Sequence, residues 1–449
     1  MSAFGMTTSR ALAFAGLLAG CFFAALPAAN ATTVERVVSP GGIEAWLVHD
    51  KTVPMIAVEY AFRGGASQDP ADKPGLAHLL TTLLDEGAGD LKSAAFQQKL
   101  EDKAIKMSWA SDRDDFRGSL RTLSDRKDAA FDLLRLALTS PRFDADAIER
   151  MRTQLAAQLR RESVDPNQIA SNAWWAAAFP GHPYGRPPKG TLESLAKLNV
   201  DDLRAYVAHV FARDNLKVAV VGDIDAAAVG QMLDRVFGAL PAKAQLVAVP
   251  PATLHGVGDI NVIDLDVPQA TVTFGGVGLP RKHPDFVTAY VVNHIFGGGS
   301  FTSRLYQEVR EKRGLAYGVS TFLYPMDEAA LVMGWIATRS DKTKEAIDII
   351  QKEAKRFAAD GPTAEELAQA KDYLVGSYAL RFDSSAKIAQ QLVQIQLDEL
   401  GIDYINHRNE QIEAVTLDDA KRVARTLFEG GYLTTVVGRP KGMSTGQRG

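Results

Sequence analysis

The sequence predicts an α+β protein made of two homologous halves, each a sheet backed by long helices, joined by a linker into half of a clam-shell. Two observations carry that prediction. The first is a long-period repeat. Val53-Pro54 opens an alternating strand (MIAVEYAF), and Val267-Pro268 opens another (ATVTFGG) 214 positions later. Lys73-Pro74 leads an apolar helix running to Gly87-Ala88-Gly89; His283-Pro284 leads one running to Gly297-Gly298-Gly299, 210 positions on. Residues 200–223 are matched by 417–439, with Phe211 against Phe428 and Gly222 against Gly438. The second observation is that strands and helices alternate without the regular beat of parallel β-α-β units, which excludes a doubly wound fold. The Pro-punctuated stretch Pro241 to Pro251 reads as the linker. It divides the chain into a leader (1–31), an N-terminal domain (32–245), a C-terminal domain (246–440) and a flexible tail (441–449).

Element by element, residues 55–63 alternate as a half-buried strand, and 103–123 read as a hairpin turning at the polar run 111–115. Long helices follow at 144–162 and 167–179. Trp174 and Trp175, beside Ala176, Ala177 and Phe179, read as packing residues with one ring partly exposed. In the second half helices are expected at 342–359 and 363–396. The latter opens on Thr363-x-x-Glu366, a capping box that satisfies free N–H groups of the first turn. Gly297-Gly298-Gly299-Ser300 lacks the Gly-Lys-Ser/Thr of a phosphate loop. It reads as a helix-terminating turn that brings Phe301 onward toward the neighbouring half. The charged run Arg310 to Arg313 reads as a solvated helix end.

The 449 residues are 46% hydrophobic and 23% charged, with 37 Gly and 20 Pro, which excludes a disordered or fibrous chain. Fifty Lys+Arg against 54 Asp+Glu leave a net charge of −4, so nothing global favours nucleic acid. A single Cys excludes a disulfide framework and a Cys-based metal site. Arg10 precedes an apolar run that breaks at Pro27 and ends in Ala29-Asn30-Ala31, the pattern of a secretory leader cleaved before Thr32. Leu18-Ala19-Gly20-Cys21 also resembles a lipoprotein cleavage box, which would leave Cys21 acylated. The apolar run continues past Cys21, whereas lipoprotein leaders usually turn polar there. A periplasmic location is expected on either reading, and no later stretch is long enough to span a membrane.

Chemistry is sought first in residues 74–89. A helix bearing His-x-x-Glu-His sets two imidazoles on one face, where they bind zinc while the Glu activates the metal-bound water. Here the pattern starts at His78 and fails, because Thr81 stands at the Glu position and Thr82 at the second His. Thr hydroxyls are poor zinc ligands and poor bases at their ordinary pKa. A lone His on an apolar helix is more often a core or surface residue than a ligand, so no metal is expected in this chain.

At these residues the sequence resembles the pitrilysin/insulinase zinc peptidases, in the half-length bacterial and mitochondrial-processing-peptidase-like branch. Phe62-Arg63-Gly64-Gly65-Ala66-Ser67 before Gly75-Leu76-Ala77-His78 is similar to the family's approach to its inverted zinc motif. His182-Pro183-Tyr184-Gly185 with Gly190-Thr191 is similar to its mid-domain signature. The third family ligand, a Glu, should fall in LAAQLRRE, where Ala156, Ala157 and Gln158 stand. SFTSRLYQEVREKRGLAYGV (300–319) resembles the family's C-terminal Arg/Tyr motif, with Arg310 and Tyr317 seven residues apart. The resemblance implies a non-zinc subunit of a two-chain peptidase. Its Arg310 and Tyr317 would polarise the scissile carbonyl of a peptide substrate, and a homologous partner with intact His-x-x-Glu-His would hold the zinc. The competing expectations are an inert structural subunit of a larger complex and a chamber-forming peptide-binding protein.

Overall fold

In the computed structural model residues 33–443 are described. The expected leader, with Cys21, and residues 444–449 of the expected tail lie outside the described residues. From Val34 onward the chain forms one unit with two main sheets.

The N-terminal sheet contains β1 (Glu35–Val38), β2 (Glu44–His49), β3 (Met55–Arg63), β4 (Lys106–Ser111), β5 (Asp115–Leu123) and β6 (Leu216–Gly222), in the order β1-β2-β6-β3-β5-β4. The expected strand and hairpin are β3 and β4–β5. The C-terminal sheet contains β7 (Ile260–Ile263), β8 (Gln269–Val277), β9 (Ala316–Pro325), β10 (Ala330–Arg339) and β11 (Leu433–Val437), in the order β9-β10-β8-β11-β7. The two orders are the same arrangement. In each, one short strand runs parallel to the last strand of its half (β2 to β6, β7 to β11), and every other pairing beyond β1 is antiparallel. The matched glycines, Gly222 at the end of β6 and Gly438 just after β11, have φ +142° and +144°, a conformation costly for any residue with a Cβ. Duplication is therefore visible in backbone geometry as well as in topology.

β3, expected to be half-buried, is instead buried on both faces over most of its length, and so is β8, because each sheet is covered on two sides. One cover is local: Leu79, Leu80, Leu134 and Phe237 lie under the first sheet, and Phe296, Phe357 and Phe428 under the second. The other cover is exchanged between halves. Four helices matter for this: α1 (Leu76–Thr81), α2 (Ala145–Glu162), α3 (Pro166–Ala178) and α4 (Phe286–Asn293). Helix α3, from the first half, lies on β8 and β11 of the second sheet. There the Trp174 Nε1–H donates to the Leu433 carbonyl at 2.9 Å. A Cβ on Gly275 would sit 2.5 Å from the Trp174 ring, so the indole needs a glycine beneath it. The reciprocal helix from the second half, Ser385–Leu397, lies on β3 and β6, packing Ala389, Leu392 and Val393 on Ala61, Ala219 and Val221. Its Gln396 Nε2 donates to the Val218 carbonyl at 2.9 Å.

Several local expectations need correction. Helix α1 does not reach residues 87–89 but stops at Thr81, and Gly87–Ala88 forms a short strand pair with Leu91–Lys92. The predicted helix 363–396 is two helices, α5 (Ala364–Gly376) and α6 (Ser385–Leu397), separated by a tighter turn at Tyr378–Phe382. Gly376-Ser377 is a weak helix former, and Ser384 starts α6 afresh by accepting from the Lys387 N–H. Gly297 and Gly298 lie inside a wide π-turn, His294–Gly298, continuing α4, so the helix ends at Gly299. Phe301 is 67% exposed and its ring meets Tyr306 of its own half. Both Trp174 and Trp175 are buried, since α3 is sandwiched between the halves.

Candidate functional site

The helix that should carry a metal motif is short. Asp69 accepts from the N–H groups of Gly75, Leu76 and Ala77 and so starts α1. Burial pushes Asp69 up to about 7 against the pull of those three bonds. Six residues later the helix ends, with Thr82 as its C-cap. The Thr81 hydroxyl donates to the His78 carbonyl (2.7 Å) and the Thr82 hydroxyl to the Leu79 carbonyl (2.8 Å). Such back-bonding competes with helix propagation, and it commits both hydroxyl protons to the backbone. The two positions where a base and a second ligand are expected are therefore occupied by helix-terminating residues.

His78 is left alone. Its Nε2 is buried without a hydrogen-bond partner, and burial, aided by Lys189, lowers its pKa and keeps the ring neutral. Glu162, at the end of the segment where a third ligand was sought, acts on His78 in the opposite sense. Burial raises the Glu162 carboxyl, but bonds from Lys189 Nζ (2.6 Å) and Gln158 Nε2 (2.8 Å) outweigh it and hold the group below its ordinary value. Glu162 lies one helical turn beyond Gln158, and that i+4 spacing is the signal in the sequence that points to it. One imidazole, two backbone-bonded hydroxyls and a Lys-paired carboxylate do not make a zinc donor set. Among the described residues no group of three or more His, Cys, Asp and Glu is arranged to hold a metal ion.

The mid-domain signature is a seam between the halves. His182 Nδ1 accepts from the Tyr184 N–H, shaping the turn that buries Tyr184. The Tyr184 hydroxyl donates to Asp114 Oδ1 (2.5 Å) and accepts from the Glu328 N–H (3.1 Å), while Asp114 Oδ2 accepts from the Asp327 N–H (3.1 Å). The tip of the β4–β5 hairpin is thereby tied to the tip of the β9–β10 hairpin. Arg63, at the end of β3, spans the same seam to Asp327 at 2.9 Å and donates to the Leu397 carbonyl. Arg113 stacks 3.6 Å from the Trp175 ring centroid and donates to the Tyr184 carbonyl. Desolvation pushes Asp114 up to about 6 and Asp115 up to about 7.

The Arg/Tyr segment is arranged differently. Arg304 is held by Glu366 (2.6 Å), and Lys312 and Arg313 are both held by Glu308 (2.7 and 2.6 Å). Arg310 has no carboxylate partner among the described residues. Its Nη1 donates to the Tyr317 carbonyl at 2.7 Å, and the guanidinium lies 4.9 Å from the Tyr306 ring centroid. Tyr317 sits in an irregularity of β9, where the register to β10 shifts between Ala316 and Val319, and its side chain is 81% exposed. A bulge re-aims a side chain out of the sheet alternation. The pair is thus joined through the Tyr317 backbone, leaving the phenol in solvent. The charged run 310–313 begins in a π-turn, Gln307–Glu311, and is exposed from Glu311 onward.

Fold and site together define a class: a duplicated α+β scaffold with exchanged helices, whose motif helix carries no metal-donor set. Residues 45–191 match the family described as insulinase (peptidase family M16), and residues 197–374 match the peptidase M16 inactive domain. The chain is 31% identical over 330 residues to a Helicobacter pylori protein named non-peptidase homolog YmxG, covering 73% of this chain and 76% of that one. The peptidase M16 inactive domain from Pseudomonas fluorescens superposes with a TM-score of 0.86 at 26% identity, over 92% of this chain and 100% of that one. A chain of complex III2 from Candida albicans shares the fold alone, with a TM-score of 0.74 and 18% identity over 91% and 96% of the two chains. This protein belongs to the M16 peptidase family, the pitrilysin/insulinase group that its motifs resemble.

Proposed function

We propose that this chain is the non-zinc subunit of an exported, periplasmic two-chain metallopeptidase. Its partner would be a homologous chain with intact His-x-x-Glu-His that brings the zinc and the activation of water. This chain would supply one wall of the peptide chamber and two donors for the scissile carbonyl. The observation that carries the reading is the contrast within the Arg/Tyr segment: its other cations are paired with carboxylates, whereas Arg310 is not, and the Tyr317 phenol stands free. A guanidinium and a phenolic O–H are suited to bond an oxygen on which negative charge develops.

Reconstitution with the zinc chain tests this. Arg310→Ala and Tyr317→Phe should leave the complex assembled and lower kcat by on the order of 10²–10³, as loss of an oxyanion donor does. A raised KM at unchanged kcat would make the pair a ground-state binder. Full activity in both variants, with the complex confirmed by gel filtration, would hand the chain to the second reading. That reading is a structural subunit, favoured by the fold it shares with the complex III chain. Alone, the chain should hold no stoichiometric zinc. Metal analysis finding one zinc per chain, lost on His78→Ala, would break the proposal at its base.

A further inference from the structure

The second half contains a cavity of about 410 Å³ between α4, the outer strand β9, the Tyr378–Phe382 turn, α6 and α7 (Tyr404–Glu413). Three arginines line it. Arg281 is matched by Asp398, with Nε donating at 3.1 Å. Arg408 and Arg381 have no such match. Arg408 is buried, and its Nη1 reaches only the Leu374 carbonyl (2.7 Å) and Asn409 Oδ1 (2.9 Å). Its guanidinium lies 4.2 Å from the Tyr378 ring centroid and 5.6 Å from that of Tyr290. Arg381, exposed at the rim, donates to the Tyr290 hydroxyl at 2.9 Å. Neither is in an ion pair with a described carboxylate.

An arginine cannot shed its proton, and burying one without a counter-ion is costly. Ring faces and neutral acceptors recover only part of that cost. The cavity therefore carries two positive charges more than its carboxylates neutralise, inside walls that include Phe286, Phe322, Ile395 and Leu400. An anion with an apolar body suits such a space. Its volume lies in the range of small-ligand sites.

The neighbouring strand narrows the choice. Among the described residues β9 is an outer strand with no strand beyond it; Thr321, Phe322 and Leu323 of that strand line the cavity, and of these Thr321 already bonds Asn293 through its carbonyl and hydroxyl. An extended chain can add to such an edge through main-chain bonds while its end group is captured beside it. We infer that this cavity is a binding site for a peptide's free C-terminal carboxylate with an apolar last side chain, the carboxylate meeting Arg408 and Arg381 and the preceding residues running along β9. The site needs no zinc-bearing partner. It is tested on this chain alone, so failure of the two-chain peptidase reading would leave it standing.

Titration calorimetry with acetyl-Ala-Ala-Phe as the free acid, the same peptide as its C-terminal amide, and 3-phenylpropanoate decides it. The free acid should bind, the amide at least about tenfold more weakly, as expected for loss of charged hydrogen bonds. The short acid should bind more weakly than the peptide because it lacks the main chain that pairs with β9. Arg381→Gln, on the exposed rim, should weaken the peptide acid about tenfold without moving the unfolding midpoint. Arg408→Gln should weaken it as well; because Arg408 is buried and its loss also disturbs packing, Arg381→Gln and the amide are the deciding comparisons. Equal binding of acid and amide, no binding of either, or an unchanged affinity in Arg381→Gln would overturn the site. Binding of 3-phenylpropanoate as tight as that of the peptide would overturn the peptide as its occupant.

Discussion

The two halves share a strand order and a pair of exchanged helices, yet they use the same helix position differently. In the first half α1 packs beside the outer strand β4, carries His78 and stops after six residues. Its counterpart, 210 positions on, is α4, which continues through a π-turn to Gly298 and walls an arginine-lined cavity beside the outer strand β9. One position holds a neutral, solitary imidazole and the other opens beside uncompensated cations. Duplicated architecture thus sets where a site can be, and the side chains at the end of one helix set what it can do. Thr81 and Thr82 close α1 on its own carbonyls, whereas Asn293 near the end of α4 exchanges bonds with Thr321 of β9.

The equivalence can be attacked where it is strongest, at the exchanged helices. Trp174→Ala removes an indole wedged over Gly275 together with its hydrogen bond to the Leu433 carbonyl. It should cost about 3–5 kcal/mol, and Leu392→Ala in the reciprocal helix about 2–5 kcal/mol. Because each helix covers the other half's sheet, chemical unfolding of either variant should show one shifted transition. A separate early transition of a single half would show that the exchange is not reciprocal in energy.

A smaller effect compares the strand-ending glycines. Gly222→Ala and Gly438→Ala each force a Cβ into a left-handed conformation, a strain of roughly 1–3 kcal/mol. At Gly222 the new atom would also lie 2.1 Å from the Met55 carbonyl oxygen, against 2.9 Å from the Ala270 Cβ at Gly438. Denaturant midpoints should fall in both variants, and further for Gly222. Equal losses would mean that the first sheet yields at its edge as readily as the second.

The smallest effect concerns the seam. Burial raises Asp114 to about 6 and Asp115 to about 7, while the unfolded chain releases those protons near pH 4. The native state therefore holds protons that the unfolded state has lost, and the seam's contribution to stability falls as pH rises from about 4 to about 7, then levels. Asp115→Asn should stabilise the protein at pH 8 relative to pH 5 by on the order of 1 kcal/mol, read from unfolding midpoints at the two pH values. A pH-independent difference between variant and parent would place the protons elsewhere.

The duplication, β3, the β4–β5 hairpin and the long helices were legible in the sequence because alternation, proline and glycine punctuation and capping are local signals. The residues at the motif positions, Thr81 and Thr82 among them, and the spacing of Arg310 and Tyr317 are read directly from the sequence. Helix ends were less legible. The Thr back-bonds that stop α1, the restart at Ser384 and the π-turn after α4 depend on which of several competing hydrogen bonds wins, and packing decides that. The crossing of α3 and α6 onto the opposite sheets was not readable at all. An apolar helix face states that it must be covered but not by which sheet, and the choice is made by complementarity, Trp174 over Gly275, between residues about a hundred positions apart. The same holds for the cavity. Arg281, Arg381 and Arg408 are three ordinary surface-type residues in sequence. Only the tertiary structure brings them to one space and leaves two of them without a carboxylate among the described residues, because charge compensation is a property of neighbours in three dimensions.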